Sequence, residues 1–322
     1  MERRHFLAVT AGGAVALSGA ALAQTYPRRP VRMIVPFAAG GSTDVIARAL
    51  SEGLGRDLGQ PVVIDNRAGA GGAVGTMEML RSVPDGHTVA MVSSSNTAAV
   101  PAMNPKIGYN PVADFTPIMN IAAVPWLIAV HPSFPARNYK DFLAELKRRP
   151  GHYSYASSGV GGILHLQMEV FKSLTGIFVT HIPYRGAGPA VADVMAGQVQ
   201  IAVDSPTSIP AIRDGRLIPI VVAAPQRMKE HPDMPTFAEV GLPQLNRMSH
   251  FGVVGPKGTP RDAVDRLNLA LRRVLQDAGV RARLEGSGAT IVAGSPAEFS
   301  REIKELYEQL QRVVAERKLT TE

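Results

Sequence analysis

Five predicted strand-to-helix junctions contain the residues of this sequence that are best suited to chemistry. Glycine lets the backbone approach a ligand closely, and free N–H groups in the first turn of a helix attract negative charge. One such junction is usually only a turn, whereas five of them facing one cleft indicate an anion-binding pocket. Each combines glycines, hydroxyls, amides and small residues: PFAAGGSTD (36–44), SSSNTAA (93–99), YASSGVGGILH (155–165), PYRGAGPA (183–190) and AVDSPTSIP (202–210).

The first junction is the most informative, because a buried strand ends on two glycines and a helix begins directly after them. Gly40 and Gly41 are expected to close the turn, with Gly41 approaching a ligand closely and adopting a positive φ. Ser42 is predicted to cap the helix. Asp44 is interpreted as an acid at the positive end of the helix dipole, with two sharper alternatives. It either fixes the glycine loop or accepts a hydrogen bond from a ligand amine.

Two titratable residues in the later junctions allow a catalytic interpretation. His165 is expected near the start of a helix, where it either packs locally or donates to a ligand. Asp204 is interpreted as the cap of the helix that begins near Ser205. A catalytic triad would place Ser157 or Ser158 beside these two residues, but the sequence has no G-x-S-x-G elbow and no signal for such an orientation. A periplasmic serine hydrolase that uses Ser158 and His165 is the alternative function.

Several other classes of function are disfavoured by the sequence. GAGGAVG (69–75) resembles a dinucleotide fingerprint but has Val74 where that motif needs glycine, and no G-x-x-x-x-G-K-[ST] loop is present. The eight histidines form no H-x-x-x-H pair and the chain has no cysteine, so we expect neither a metal nor a cofactor. The net charge of +7 is scattered without interleaved aromatics, which argues against nucleic acid and is typical of a surface that attracts small anions.

The elements that position these junctions alternate between short apolar runs and helical patterns, which predicts an α/β protein with a largely parallel sheet. Ile46, Leu50 and Leu54 form one stripe and predict a helix over 42–58. A second helix should follow Thr259-Pro260, and the last should begin at Ser295 with a capping box. Strands are predicted at 31–35, 61–65, 88–92, 153–156, 179–182, 200–203 and 217–223.

Two extended segments, 122–133 and 249–260, are predicted to cross between domains. Residues 24–125 and 250–322 would then form the first domain and residues 126–249 the second. Two crossings between α/β domains make a hinge, and the cleft between the domains is a natural ligand site.

The first residues are expected to direct export rather than to join the fold. Residues 1–23 have a basic start with Arg3 and Arg4, an apolar middle and an A-x-A site before Gln24, which predicts a cleaved signal peptide. The run RRHFL also resembles a twin-arginine signal. The apolar stretch at 118–130 is too short and too interrupted to span a membrane, so a soluble periplasmic protein is expected.

The motifs together resemble the Bug family, the periplasmic receptors of tripartite tricarboxylate transporters. The likeness extends in order over nearly the whole chain after the signal. It rests on YPRRPVRMIVPFAAGGSTDVIAR (26–48), GQPVVIDNRAGAGGAVGT (59–76), PDGHTVAM (84–91), YASSGVGGILHLQMEVFK (155–172), HIPYRGAGPAVADVMAGQVQ (181–200) and PTFAEVGLP (235–243).

This resemblance implies a periplasmic-binding-protein fold of two α/β domains with a hinge and a ligand cleft. It also implies a monomeric receptor without catalysis, which delivers a small carboxylate to membrane permease subunits. Backbone amides and ordered waters would hold the carboxylate, and its identity depends on a distal pocket where Arg185 replaces a frequent lysine. The resemblance assigns the site to Phe37, Gly40, Gly41, Thr43, Asp44, Ser94 and Asn96 on one side of the cleft and to Ser157, Gly159, Gly162, His165 and Asp204 on the other.

Overall fold

Two β-sheets organise the molecule, of which a computed structural model describes residues 26–286 and 288–320. The first sheet has the strand order β11-β4-β10-β3-β1-β2 and the second the order β7-β6-β8-β5-β9. The strands are β1 Val31–Val35, β2 Val62–Asn66, β3 Thr88–Ser93, β4 Phe115–Val124, β5 Trp126–Val130, β6 Ser154–Ser157, β7 Thr180–Pro183, β8 Ile201–Asp204, β9 Ile218–Ala223, β10 Ser249–Pro256 and β11 Thr290–Ile291.

Helices cover both sheets, so the predicted α/β class is confirmed. The helix predicted over 42–58 has those bounds, and the last helix begins with the predicted capping box between Ser295 and Glu298. The helices are α1 Ser42–Leu58, α2 Ala73–Leu80, α3 Val100–Met103, α4 Tyr139–Arg148, α5 Ile163–Thr175, α6 Ala187–Met195, α7 Ile209–Arg213, α8 Arg261–Val274, α9 Ala278–Glu285 and α10 Pro296–Arg317.

Both sheets are mixed, and the prediction of a largely parallel sheet is wrong. In the first sheet β10 runs antiparallel to β3 and β4, and in the second sheet β5 runs antiparallel to β8 and β9. These strands lie where the chain passes between the sheets. A short, fully buried strand has the same apolar pattern whether it pairs in parallel or antiparallel, so the sequence did not reveal the direction of these two strands.

The chain passes between the sheets twice. Pro125 separates β4 of the first sheet from β5 of the second, and the segment 224–248 leads from β9 back to β10. These passages lie close to the crossings predicted near 125 and 250. The exact domain limits stay a prediction.

The last helix contacts both halves of the molecule. Phe299 and Ile303 of α10 pack with strands of the first sheet, whereas Leu306 and Leu310 pack into the core of the second. That second core also holds Trp126, whose ring stacks on another aromatic ring at a centroid distance of 4.4 Å. Burial of each large apolar side chain contributes about 1.5–3 kcal/mol, so α10 is anchored firmly on both sides.

Within residues 26–286 and 288–320, no helix combines the length and apolarity needed to cross a bilayer. The same residues include no cluster of three or more histidines or carboxylates suited to a metal ion. The predicted signal peptide at 1–23 lies outside the described residues.

Candidate binding site

A cavity lies between the two sheets, and both halves of the molecule contribute to its wall. Seven of its lining residues have hydroxyl groups, and every lining residue is uncharged. The wall therefore offers hydrogen bonds without a fixed opposite charge. The lining residues are Phe37, Gly41, Ser42, Thr43, Ser93, Ser95, Ser249 and Phe251 from the first half, with Ser158, Ile163, Leu164, Ala187 and Ser205 from the second.

Three helices begin at this cavity. Their first residues, Ser42 of α1, Ile163 of α5 and Ala187 of α6, all line it. Each N-cap is a glycine, at 41, 162 and 186, and glycine has no side chain with which to cap the first turn. The first N–H groups of a helix have no partner within the helix and attract anions.

Three helices that begin elsewhere are closed by a side chain. Asn138, Asp277 and Ser295 cap α4, α9 and α10, each by accepting a hydrogen bond from an N–H of the first turn. Such caps are worth about 1 kcal/mol each. The glycine N-caps at the cavity therefore lack the bond that α4, α9 and α10 make, although in α5 the hydroxyl of Ser95, from the first half, accepts from the first N–H group.

In the first glycine loop, the prediction of a positive φ at Gly41 and of Ser42 as the helix cap is wrong. The positive φ belongs to Gly40 (80°), whereas Gly41 is extended with φ −82°. The N-cap is Gly41 rather than Ser42, because Ser42 already lies inside the helix. Ser42 is therefore free to use its hydroxyl outside the helix.

Asp44 fixes this loop, as one of the predicted alternatives states. Its Oδ2 accepts from Gly40 N at 2.9 Å, and its carboxylate also accepts from Arg48 Nε and Asn66 Nδ2. Burial opposes ionisation, but hydrogen bonds from Arg48, Gly40 and Asn66 outweigh it and hold the pKa of this carboxyl below its usual range. Asp44 is a charged support behind the cavity wall.

The second glycine loop has its own support. His165 Nδ1 accepts from Gly161 N at 3.0 Å, and the His165 ring stacks on His181 at a centroid distance of 4.2 Å. His181 stacks in turn on Tyr155, and its Nε2 lies 2.7 Å from Ser157 Oγ. Burial lowers the pKa of His165, and it lowers that of His181 to about 3. Both rings are thus neutral, as an accepting Nδ1 requires.

Asp204 is a buried cap, in agreement with its interpretation from sequence. Only 2% of the residue is exposed, and Oδ2 accepts from Ser208 N at 2.7 Å. Burial raises the pKa of this carboxyl to about 7, although backbone and side-chain hydrogen bonds from Ser205 and Ser208 act in the other direction. Asp204 therefore carries less negative charge beside the cleft than its residue type suggests.

Two predicted residues on the first side support the backbone near the crossings. Ser94 Oγ accepts from His250 N at 2.9 Å, which joins β10 to the segment after β3. Asn96 accepts from Ser93 N at 2.9 Å and donates to Thr76 Oγ1 at 2.9 Å.

The predicted residues thus divide into a wall and a layer behind it. Phe37, Gly41 and Thr43 line the cavity. Gly162 is the N-cap of α5, and Gly159 lies beside the first half, where an added Cβ would be 3.2 Å from Gly71 N. Contact of any of the twelve with a ligand stays a prediction. The residues outside the lining are Gly40, Asp44, Ser94, Asn96, Ser157, Gly159, Gly162, His165 and Asp204.

Sequence reasoning missed most of the hydroxyl groups of the wall. Most of the missed residues belong to the junctions already singled out, so their small polar character was the available signal. Ser249 and Phe251 come from the second crossing segment, which had no such signal. The missed residues are Ser42, Ser93, Ser95, Ile163, Leu164, Ala187, Ser205, Ser249 and Phe251.

The two halves make direct hydrogen bonds around the cavity. Ser42 Oγ lies 2.9 Å from both Ser205 Oγ and Thr207 Oγ1. Ile163 N donates to Ser95 Oγ at 3.0 Å on another side. These bonds join groups whose helices and strands belong to different sheets, so the structure has the cleft closed.

Glycines permit this close approach. An added Cβ at Gly188 would lie 3.0 Å from Ala39 O, and one at Gly186 would lie 3.0 Å from Ala38 N. In both pairs the neighbour is backbone of the opposite half, which cannot move aside as a flexible side chain can. Closure at this edge therefore depends on the absence of side chains.

Comparison with known proteins identifies the family. The family model described as "Tripartite tricarboxylate transporter family receptor" matches residues 46–319. The chain belongs to this receptor family. The receptor is 38% identical over 289 residues to Protein BugT of Bordetella pertussis, which covers 89% of this chain and 87% of BugT.

Solved structures show the same architecture as this receptor. The periplasmic binding protein BugD is 32% identical with a TM-score of 0.88, covering 92% of the receptor and 99% of BugD. MatC from Rhodopseudomonas palustris, solved with bound malate, is 32% identical with a TM-score of 0.86, covering 90% of the receptor and 100% of MatC. The resemblance to the Bug family and the two-domain periplasmic-binding-protein fold are thereby confirmed. The receptor is a solute-binding protein of this class.

Proposed function

We propose that the protein captures a small carboxylate in its interdomain cleft and delivers it to the membrane subunits of a tripartite transporter. The observation that carries the proposal is the start of α1, α5 and α6 at one cavity, each on a glycine N-cap. The first turns of these three helices supply N–H donors at one cavity for one anionic group, in addition to Ile163 N, which already donates to Ser95 Oγ. The malate bound in MatC supports a carboxylate as that group.

The neutral lining fits a carboxylate that is released again. Hydroxyl and amide donors bind an anion without the opposite charge of a lysine or arginine, so binding energy stays moderate. Of the residues assigned from sequence, Phe37, Gly41 and Thr43 would touch the ligand. Asp44 and His165 would hold the two loops in position.

Binding would couple to closure of the two domains. Domain 1 comprises 24–125 and 250–322, domain 2 comprises 126–249, and the hinge lies at the two crossings. The bonds of Ser42 to Ser205 and Thr207 join the two sides only when the cleft is shut. A ligand held by both sides favours the shut form, and the empty receptor opens.

Catalysis is not part of this function. The serine that meets a histidine is Ser157, which is fully buried and therefore out of reach of a substrate. Ser158 lines the cavity, but Nδ1 of His165 is occupied by Gly161 N. A serine nucleophile needs both an accessible hydroxyl and a base beside it, and the two are separated here.

Export would place the mature receptor in the periplasm as a monomer. Cleavage after Ala23, following a Sec or twin-arginine route, leaves Gln24-Thr25-Tyr26 as the new N-terminus. N-terminal sequencing of periplasmic protein tests this step. An intact Met1 on membrane-bound protein would contradict it.

The proposed function is tested by titrating the mature chain with malate and a panel of other small carboxylates. Stoichiometric binding and thermal stabilisation are expected, by about 2.7 kcal/mol at a hundredfold excess over Kd. The ligand should be recovered chemically unchanged. Failure of every carboxylate to bind, or hydrolysis of an ester analogue abolished by Ser158→Ala, would overturn the proposal.

A further inference from the structure

Residues 69–72, which follow β2, have an uncommon backbone. Their φ angles are all positive, at 148°, 46°, 61° and 100°, and this is the only run of consecutive positive φ angles within residues 26–286 and 288–320. Three of the four are glycines, which adopt such angles readily, but residue 70 is alanine. At positive φ the Cβ of an L-residue crowds its own backbone, so Ala70 is strained.

Contacts within the first half restrain only part of this segment. Gly72 N donates to Gly69 O at 3.0 Å, and Ala73 N donates to Ala70 O. The side chain of Ala70 is exposed, so burial of its methyl group does not select the strained angle. Strained residues persist where the surrounding structure holds them, which directs attention to what the segment packs against.

The segment packs against the second half, backbone against backbone. An added Cβ at Gly71 would lie 2.8 Å from Val160 O and 3.3 Å from Gly162 N. From the other side, an added Cβ at Gly159 would lie 3.2 Å from Gly71 N. The neighbour in each case is the loop between β6 and α5. Because that loop belongs to the opposite half, the contact exists only while the cleft is closed.

The segment also adjoins the cavity wall. An added Cβ at Gly72 would lie 3.0 Å from Cζ of Phe37, a residue that lines the cavity. Phe37 and Ser158 line both the cavity and the outer pocket between the segment and the facing loop. The segment therefore lies where the cavity and the contact between the halves meet, and closing the cleft brings the second half onto it.

We propose that residues 69–72 limit the affinity of the receptor, with Ala70 as the residue that sets the limit. Closing presses the loop of the second half onto the segment and holds Ala70 at its positive φ. When the cleft opens, this restraint is lost and Ala70 relaxes to an ordinary φ. The strain therefore opposes closing and favours release of the solute.

The inference rests on the proposed function, because it needs a solute whose binding is coupled to closure. It adds a residue outside the cavity lining that regulates binding. Its distinctive consequence is that relieving the strain should tighten binding, although no contact with the solute is gained.

Ala70→Gly tests the inference, because glycine removes the strain without adding atoms. In calorimetric titration with malate and the carboxylate panel, affinity for each acid that binds the wild type should rise about fivefold. The Tm of the ligand-free receptor should change little. Ala70→Val should lower affinity about tenfold, since a β-branched residue tolerates positive φ worse than alanine does. The exposure of residue 70 leaves room for the valine side chain.

Ala293→Gly is the matched control. Ala293 also has a positive φ, of 50°, but its N donates to Ile121 O within the first half. Its strain is therefore the same whether the cleft is open or closed. Glycine at this position should raise the Tm of the ligand-free receptor and leave affinity unchanged.

The outcomes separate this inference from the proposed function. If the wild type binds an acid and both Ala70 variants bind it equally well, the inference fails and the proposed function stands. If Ala70→Gly raises the Tm of the ligand-free receptor as Ala293→Gly does, without a gain in affinity, the strain is also present in the open form, which overturns the inference. If no acid binds the wild type or any variant, both proposals fail.

Discussion

Asp44 and His165 hold the two loops of the cleft by the same bond. Asp44 Oδ2 accepts from Gly40 N at 2.9 Å, and His165 Nδ1 accepts from Gly161 N at 3.0 Å, each four residues back along the chain. Both acceptors lie in the first turn of a helix that begins at the cavity. Each bond fixes the glycine segment before its helix. The N–H groups of the first helical turn therefore keep their orientation toward the cavity.

His165→Ala should therefore weaken binding more than folding. Losing the acceptor frees Gly161 N and loosens the loop, so we expect carboxylate affinity to fall about tenfold with a modest fall in Tm. Calorimetric titration and thermal unfolding measure both quantities. His165→Asn, which places an amide oxygen near the position of Nδ1, should retain affinity within a few fold. Equal loss in both variants would mean that ring packing, not the accepted hydrogen bond, is what matters.

The raised pKa of Asp204 predicts that its contribution to folding stability falls as pH rises. Its folded pKa of about 7 lies above its value in an unfolded chain, so the folded state binds more protons between the two values. Stability from this residue is thus fully present below the unfolded pKa and is lost as pH rises to about 7. Asp204→Asn keeps an acceptor for Ser208 N and removes the titration. Relative to wild type, the variant should gain stability from pH 5 to pH 8, by up to about 1.4 kcal/mol per pH unit.

Urea unfolding of both proteins at the two pH values tests this. Comparing variant with wild type at each pH cancels the opposite contribution of the histidines. His181, with a folded pKa of about 3, favours folding above its unfolded pKa near 6.5 and loses that contribution as pH falls. A stability difference between the two proteins that is the same at pH 5 and pH 8 would refute the assignment for Asp204.

The sequence predicted the framework well, for physical reasons that can be named. The stripe of Ile46, Leu50 and Leu54 is a local periodic signal, and it located α1 correctly. The predicted strands at 61–65, 153–156, 179–182 and 200–203 each lie one residue further on in the structure. Their apolar character fixes position but not direction, which is why the antiparallel course of β5 and β10 was missed.

Details of the site were harder to predict because they depend on orientation. Ser42 and Asp44 are two residues apart, yet the first lines the cavity and the second lies behind the loop. The direction in which α1 leaves its strand decides this, and no local pattern encodes it. Likewise Gly40 and Gly41 are chemically identical, so the sequence could not tell which one has the positive φ.

Gly188→Ala should hinder closure while leaving the fold intact. The new Cβ would lie 3.0 Å from Ala39 O across the cleft, and residue 188 is already helical. We expect apo Tm to change little, affinity to fall about tenfold and small-angle scattering to show a larger radius of gyration with ligand than in wild type. Gly55→Ala is the control, since it also adds a helical Cβ, but its nearest new neighbour is Gln60 O at 3.4 Å, within the first half. Wild-type closure in the Gly188 variant would show that this edge is not a closing contact.

The central claim is that carboxylate binds at the glycine-capped starts of α1, α5 and α6, and Gly41→Val tests it most directly. Gly41 has ordinary φ, and its added Cβ would lie 3.5 Å from Ala187 N, so the fold should tolerate valine with a modest fall in Tm. The branched side chain would occupy the space in which the first N–H groups meet the ligand. Calorimetric titration should show affinity reduced at least about tenfold, or 1.4 kcal/mol, while Ser158→Ala stays within a few fold. Normal binding by Gly41→Val would mean that the glycines serve only the turn, and the account of the anion site would be wrong.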